Sequence, residues 1–324
     1  MDLPFVTYNQ RTRLTLVNSN YFIPDPIYNN PLSQLALFLI IMFWALIMGI
    51  VLLTLWIWYH PESVLIPLNI YLSKTDFVPR TNFYSDEDRD KLFPVGRELE
   101  QLWKEIRDEG YSLYESLPDK NINYLNNYNI NLGFENKQFW TTIPLRLFGN
   151  DAPENMDKCP ITSKILQNHP EIKSCLFSVM DPGKIINPHV GPYDGLLRYQ
   201  LALDIPRTPE GVPYTSFEEV RLQAERSPTL NESNLTTGSG TLNDIHPGEC
   251  YLHVGGEKYY WTEGKGLMFD EANIHGAVNT TKNKRMVLLI DLERPYYFLH
   301  NRLLNKGILW GLGSLPATKR ATLI

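Results

Sequence analysis

The sequence predicts a mainly β domain, a sandwich or barrel, carried behind one transmembrane helix. Three observations predict it. The stretch from Pro26 to Pro61 holds no Asp, Glu, Lys or Arg, and inside it lies "LALFLIIMFWALIMGIVLLTLWIW", the 24 residues 35–58. From about residue 136 short β-type runs alternate with Gly and Pro: "SCLFSVM", "LLRYQLALDI", "ECYLHVGGEKYYW", "GKGLMFD" and "KRMVLLIDL". Several short strands at this spacing belong to an all-β sandwich or barrel. Finally, 43% hydrophobic against 20% charged residues is enough for a packed core in a 324-residue chain.

Taken in order, residues 1–34 read as a polar arm. Residues 35–58 read as the membrane span, because about 20 apolar residues cross a bilayer as a helix. Trp56, Trp58 and Tyr59 sit at one end, where an interfacial aromatic belt is placed. The late start, the length and the lack of a small-residue cleavage site argue against a cleaved signal peptide. Arg11 and Arg13 precede the span and few cations follow it before Lys74, which favours a cytoplasmic N-terminus. The side on which the main domain sits stays open. Three Asn-x-Ser/Thr triplets, at Asn231, Asn234 and Asn279, fit the glycosylation pattern.

Residues 59–134 read as a membrane-proximal and helical support segment. Its first part, 63–77, either lies in the membrane interface or packs on the domain. Residues 94–115 predict a helix: Pro94 suits a first helical position, and Val95, Leu99, Leu102, Trp103 and Ile106 share a face. The Asn-rich 121–133 is an irregular approach. The β domain spans 135–296. Within it "YLHVGGEKYYW" predicts a hairpin, with Gly255-Gly256 supplying the positive-φ turn. An insertion, 207–247, holds a capping box from Ser216 to Glu219 ahead of a short helix, then a Ser/Thr/Asn/Gly-rich loop. The tail, 297–324, is apolar with interspersed cations, and either docks on the domain or lies on a membrane surface.

Charge and cysteine content exclude some functions. The net charge is −6 with no dense basic block, which argues against nucleic-acid binding. The three cysteines form no CxxC pair, so a cysteine zinc site is not expected.

The chemistry-bearing residues lie on the strands. In "HVGPYDGLLRYQLALDIP" period-two alternation places Arg198, Gln200, Ala202 and Asp204 on one face, and Leu197, Tyr199, Leu201, Leu203 and Ile205 on the other. The leucine face contacts core; Arg198 and Gln200 point into solvent or a polar cavity. In "KRMVLLIDLERP" Arg285, Val287, Leu289 and Asp291 share a face. An arginine there is a solvated strand end or a carboxylate clamp. His189 and His275 each flank a β-run, and each is followed by an arginine nine or ten residues on. Iron(II) oxygenases use two histidines and usually a carboxylate on one face of the metal. By spacing alone the pair is either such a site or two structural histidines.

Three stretches, "LFGNDAPENMDKCPIT", "HVGPYDGLLRYQLALDIP" and "GEKYYWTEGKGLMFDEANIHGAVNTTKNKRMVLLIDLERP", resemble the aspartyl/asparaginyl β-hydroxylase family, most of all its lipid A acyl-chain hydroxylase branch. The resemblance covers roughly residues 62–296. It implies a double-stranded β-helix (a jelly-roll, cupin-like fold) with flanking helices. It implies an iron(II)- and 2-oxoglutarate-dependent dioxygenase that uses O2 to hydroxylate an unactivated carbon. Carried over, His189 and His275 are the metal ligands, and Arg285 pairs with the distal carboxylate of 2-oxoglutarate. Arg198, Ser178 and Gln200 contact the same cosubstrate.

The chain departs from the family pattern in three places. Gly191 stands where a facial triad has its carboxylate; the protein-directed branch shares this glycine, whereas the lipid branch tends to carry Asp. Gln200 stands where the family commonly has histidine. The 207–247 insertion is absent from compact members and is placed to form a lid. Asp194 is close to His189 in sequence but at the wrong offset for the family carboxylate. The expected substrate is a lipid acyl chain or another membrane-proximal molecule. The alternatives are a protein Asp/Asn side chain, or no turnover at all, in a degenerate β-helix that only binds.

Overall fold

The computed structural model describes residues 31–59, 68–69, 71–72, 74, 81–119, 140–191, 193–207 and 248–323. Residues 1–30 of the arm, the Asn-rich approach, the capping box at Ser216 and the glycosylation triplets at Asn231 and Asn234 lie outside the described residues, while residues 31–34 of the arm belong to the first helix. The chain divides into two compact units, 1–64 and 65–324.

The first unit contains helix α1, Pro31–Tyr59. Its segment Gln34–Leu53 is long and apolar enough to cross a membrane, and none of it is buried.

Among the described residues the second unit is built around ten antiparallel strands in two sheets. The strands are β1 Trp140–Leu147, β2 Asn150–Asp151, β3 Ile172–Met180, β4 Lys184–His189, β5 Leu196–Asp204, β6 Cys250–Val254, β7 Glu257–Tyr259, β8 Gly266–Phe269, β9 His275–Asn279 and β10 Arg285–Glu293. The larger sheet runs β2-β1-β3-β10-β5-β8 and the smaller β4-β9-β6-β7. The helices are α2 Asp86–Leu92, α3 Gly96–Gln101, α4 Trp103–Ser116, α5 Pro153–Asp157, α6 Pro160–Asn168, α7 Leu299–Ser314 and α8 Pro316–Ala321. The architecture is a double-stranded β-helix with flanking helices.

Each face of the larger sheet has its own core. On the outer face Leu197, Tyr199, Leu201 and Leu203 of β5 pack with Leu288 and Ile290 of β10 against Val95, Leu99, Ile106 and Leu113 from the helices. On the inner face Trp140, Met180, Ala202, Phe269 and Val287 meet Ile186, Leu252, Val254 and Ala277 of the smaller sheet. Burial on both faces makes these strands nearly continuous apolar runs.

The predicted helix over 94–115 forms as two pieces that meet at Leu102, whose φ of −101° is not helical. The hairpin forms as predicted, with Val254 opposite Glu257 and Gly255 and Gly256 at φ of 55° and 93°. The expected alternation along β5 holds through Leu203 and fails at Asp204. Val287 pairs with Ala202 and Met286 with Asp204, so Leu203 is the extra residue of a bulge. That residue turns Asp204 to the outer face, where the Tyr111 hydroxyl donates to it, and returns Ile205 to the inner core. The triplet at Asn279 is not an acceptor. The asparagine is fully buried, and its amide donates to the carbonyls of Met180, Asp181 and Asn283.

Candidate active site

β4 ends at His189 and β9 begins at His275, and the antiparallel pairing sets the two residues opposite one another. Their ring centroids are 4.3 Å apart. The ladder slips between Ile186 and His189, where Pro188 has no N–H to give. The close approach needs glycine at 276: a Cβ there would stand 2.6 Å from the Ile186 carbonyl oxygen.

Each histidine is oriented in the same way. His189 Nδ1 lies 2.8 Å from the carbonyl of Asn187, and His275 Nδ1 lies 2.9 Å from that of Asn273. A carbonyl only accepts, so each Nδ1 carries the proton and each Nε2 keeps its lone pair. His275 Nε2 is buried and has no hydrogen-bond partner among the described residues. Burial drives the His189 imidazole down to about 4 and His275 well below its usual 6.5, with the Arg198 charge acting the same way. Both rings are therefore neutral at ordinary pH, the form that ligates a metal.

Gly191 donates its N–H to the Glu271 carbonyl at 2.8 Å. A Cβ on Gly191 would stand 2.9 Å from Glu271 Cδ and 3.1 Å from the Glu271 carbonyl oxygen. Glu271 thus fills the space a side chain at 191 would need. Among the described residues no three His, Cys, Asp or Glu side chains gather in a way that could hold a metal. His189 and His275 are the two side chains here that could ligate a metal through Nε2, and no carboxylate joins them among the described residues.

Arg198 points inward but is already paired. Its Nη2 lies 2.5 Å from Glu271 Oε2, and its Nε donates to Asp291 Oδ1 at 2.8 Å. Burial raises the Glu271 carboxyl; Arg198 lowers it, Asp291 and Asp270 raise it again, and Arg294, paired with Asp270, lowers it.

Arg285 differs. It is 2% exposed, stacks over the Trp261 ring at 4.7 Å, and donates to Ser178 Oγ at 3.3 Å and the Ser178 carbonyl at 3.4 Å. Its Nε has no partner, and no carboxylate among the described residues pairs with it. Burial lowers its guanidinium to about 10, still charged. A buried cation without a counter-charge is costly and calls for an anion. Gln200 lies beside this group: its Oε1 accepts from Trp261 Nε1 at 3.1 Å. Ser178 Oγ also accepts from Trp140 Nε1 at 2.9 Å. Ser178, Gln200, Trp261 and Arg285 therefore form one anion-ready cluster. Asp194 is held by its backbone: its carbonyl accepts from Arg294 Nε and its N–H donates to Asn69 Oδ1.

The sequence of the aspartyl/asparaginyl β-hydroxylases matches residues 100–227 and 242–295, more than half of the chain. The chain belongs to the aspartyl/asparaginyl β-hydroxylase family. Within the family's reach it is 30% identical over 173 residues to an ornithine lipid ester-linked acyl 2-hydroxylase of Rhizobium tropici, covering 52% of this chain and 48% of that one. It is 25% identical over 210 residues to the human aspartyl/asparaginyl beta-hydroxylase, covering 61% of this chain and 21% of that one. This β-hydroxylase family member thus spans about half, or less, of the length of these curated relatives. Its likeness to solved structures is slight. An oxidoreductase of the 2OG-Fe(II) oxygenase family from Burkholderia pseudomallei aligns at TM-score 0.33 and 12% identity, over 59% of this chain and 78% of that one.

Three features of this hydroxylase-family site were not read from its sequence: Trp140, Trp261 and Glu271. The tryptophans are far in sequence from the residues they touch. A local signal does mark the histidines. Both stand in Asn-x-His, and in each case the asparagine carbonyl two residues back holds the ring.

Proposed function

We propose that this protein is a membrane-anchored iron(II)- and 2-oxoglutarate-dependent dioxygenase that hydroxylates an unactivated carbon of a lipid acyl chain. The observation that carries the reading is the coexistence, between the two sheets, of two facing neutral histidines, with Nε2 of His275 unpartnered, and a buried arginine with no carboxylate partner among the described residues.

The residues present fit the group the family uses. His189 and His275 would hold the iron through Nε2, and Arg285 with Ser178 would take the distal carboxylate of 2-oxoglutarate. When bound, iron and keto acid supply the oxidising chemistry that O2 alone lacks. The protein's part is to bind, orient and exclude water. The backbone carbonyls of Asn187 and Asn273 fix the two imidazoles. Arg198 is held in place by Glu271 and Asp291, which compensate its charge, so the uncompensated cation left for an anionic cosubstrate is Arg285. The apolar interior lined by Phe269, Ala277 and Val287 keeps water from the reacting centre.

A lipid substrate is supported by three features. Val190 and Ile274, the neighbours of the two histidines, are exposed apolar side chains. Helix α1 is long and apolar enough to tether the domain at a bilayer. The Rhizobium relative is named for action on a lipid acyl chain. Action on a protein Asp or Asn side chain is the second reading, supported by the human relative and by Gly191.

The test is 2-oxoglutarate turnover and iron binding. Wild type is expected to bind iron and decarboxylate 2-oxoglutarate, and His275→Ala to lose bound iron while remaining folded. A wild type that binds no iron and consumes no 2-oxoglutarate would leave only the non-catalytic binder. Mass spectrometry of lipids and proteins from cells with and without the gene then identifies the class that gains one oxygen.

A further inference from the structure

We infer that helix α7 is an in-plane membrane helix: its outer face inserts into the headgroup region of an anionic bilayer. The polarity of this helix is inverted. Asn301 and Asn305 face the domain and are fully buried, with Leu309 between them and the helix end. On the opposite side Leu299, Leu303 and Trp310 are 69%, 61% and 76% exposed, and Tyr297 and Phe298 extend that side at the N-terminal end. Helical spacing puts Leu299, Leu303, Lys306 and Trp310 on one stripe. A helix in water buries its leucines and exposes its amides. This one buries two amides beside Leu309 and exposes Leu299, Leu303 and Trp310, and its orientation is pinned. Asn305 Nδ2 donates to the Gly195 carbonyl at 3.1 Å, and the Tyr193 hydroxyl donates to Asn305 Oδ1 at 2.6 Å. It cannot roll over to hide the leucines.

The charge pattern says what covers that face. From Pro295 to Ile324 there is no Asp or Glu, whereas Arg302, Lys306, Lys319 and Arg320 are all exposed. The rest of the chain carries the acid, since the whole is at −6. An apolar stripe with a tryptophan, rimmed by cations alone, is the composition of an interfacial helix on anionic lipid. A second copy of this chain would bring the same positive rim against itself. The consequence for the site is direct. α7 is hydrogen-bonded to residues 193–195, which join β4, ending at His189, to β5, carrying Arg198. Docking would hold that connection at the bilayer surface, where an acyl chain is available.

This inference rests on the membrane reading above, and one experiment separates the two. Full-length Leu303→Cys is labelled with an environment-sensitive fluorophore; the three native cysteines are buried. Glu154→Cys, exposed on α5, is the control. Both are reconstituted into phosphatidylcholine vesicles with and without phosphatidylglycerol, with a nitroxide quencher on the lipid acyl chain near the headgroup. The expected result is loss of the Leu303 signal, greater with phosphatidylglycerol and weakened by salt, while the Glu154 signal persists. A chain that floats with vesicles while both labels keep their signal overturns the docking and leaves the anchor standing. A chain that does not float overturns both. A Leu303 label shielded from aqueous quencher but untouched by the lipid quencher means that protein covers α7, and overturns the inference.

Discussion

At Gly191 the backbone passes so close to Glu271 that a Cβ would lie 2.9 Å from its Cδ. Gly191→Asp is therefore expected not to complete a facial triad. Overpacking a filled site costs about 1–3 kcal/mol, so the melting temperature should fall while iron affinity stays level or drops. Tighter iron binding in that variant would show that Glu271 yields readily. Arg285 carries the complementary prediction. No carboxylate among the described residues pairs with it, and losing a buried charge-assisted pair with a bound carboxylate costs roughly 2–5 kcal/mol. Arg285→Ala should raise the 2-oxoglutarate requirement by orders of magnitude, measured by titrating decarboxylation. An unchanged requirement would sink its assignment. At this scale the sequence revealed His189, His275 and Arg285 as candidates, because strand alternation and the family motifs mark them. It did not reveal Glu271 as the occupant of the space beside Gly191. That depends on the carbonyl of one loop meeting the N–H of another.

At the scale of elements, alternation predicted which face of β5 carries Arg198 and Gln200 but left solvent or a polar cavity open, and the structure turns that face inward. Prediction failed at Asp204 because one extra residue shifts the ladder, and a bulge has no period of its own. Helix α7 was legible only as apolar and basic. Docking and surface exposure were alternatives in the sequence; in the structure one side docks and the other is exposed. The docking depends on Asn305, which satisfies the Tyr193 hydroxyl and the Gly195 carbonyl together. Asn305→Ala should leave both unmet and destabilise the domain by about 1–3 kcal/mol. Thermal unfolding measures the loss, and limited proteolysis should release the C-terminal segment first. A variant as stable and as protease-resistant as wild type would remove Asn305 from that role.

For the whole molecule, the buried histidines set a pH dependence. His189 titrates near 4 in the folded state against an ordinary 6.5. The unfolded chain therefore binds more protons between those values, and stability falls as pH drops from 6.5 toward 4. The difference amounts to roughly 3 kcal/mol for His189, with His275 adding in the same direction. Glu271 is raised by burial and works in the opposite sense as pH rises. The comparison of metal-free wild type with His189→Gln isolates the histidine: chemical unfolding at pH 7 and pH 5 should show a smaller loss in the variant. Equal losses would mean that the imidazole is not desolvated.

Sequence alone determined what local chemistry determines. The apolar length of α1, the period-two strands, the Gly255-Gly256 turn and the family motifs are each written in contiguous residues. The tertiary structure decided what depends on residues distant in the chain. It brought His189 and His275 to 4.3 Å across one ladder, left Arg285 without a counter-charge, paired Arg198 with two acids, and turned the amides of α7 inward. Those outcomes are set by which side chain fills which space, and packing is a property of neighbours that sequence order does not name.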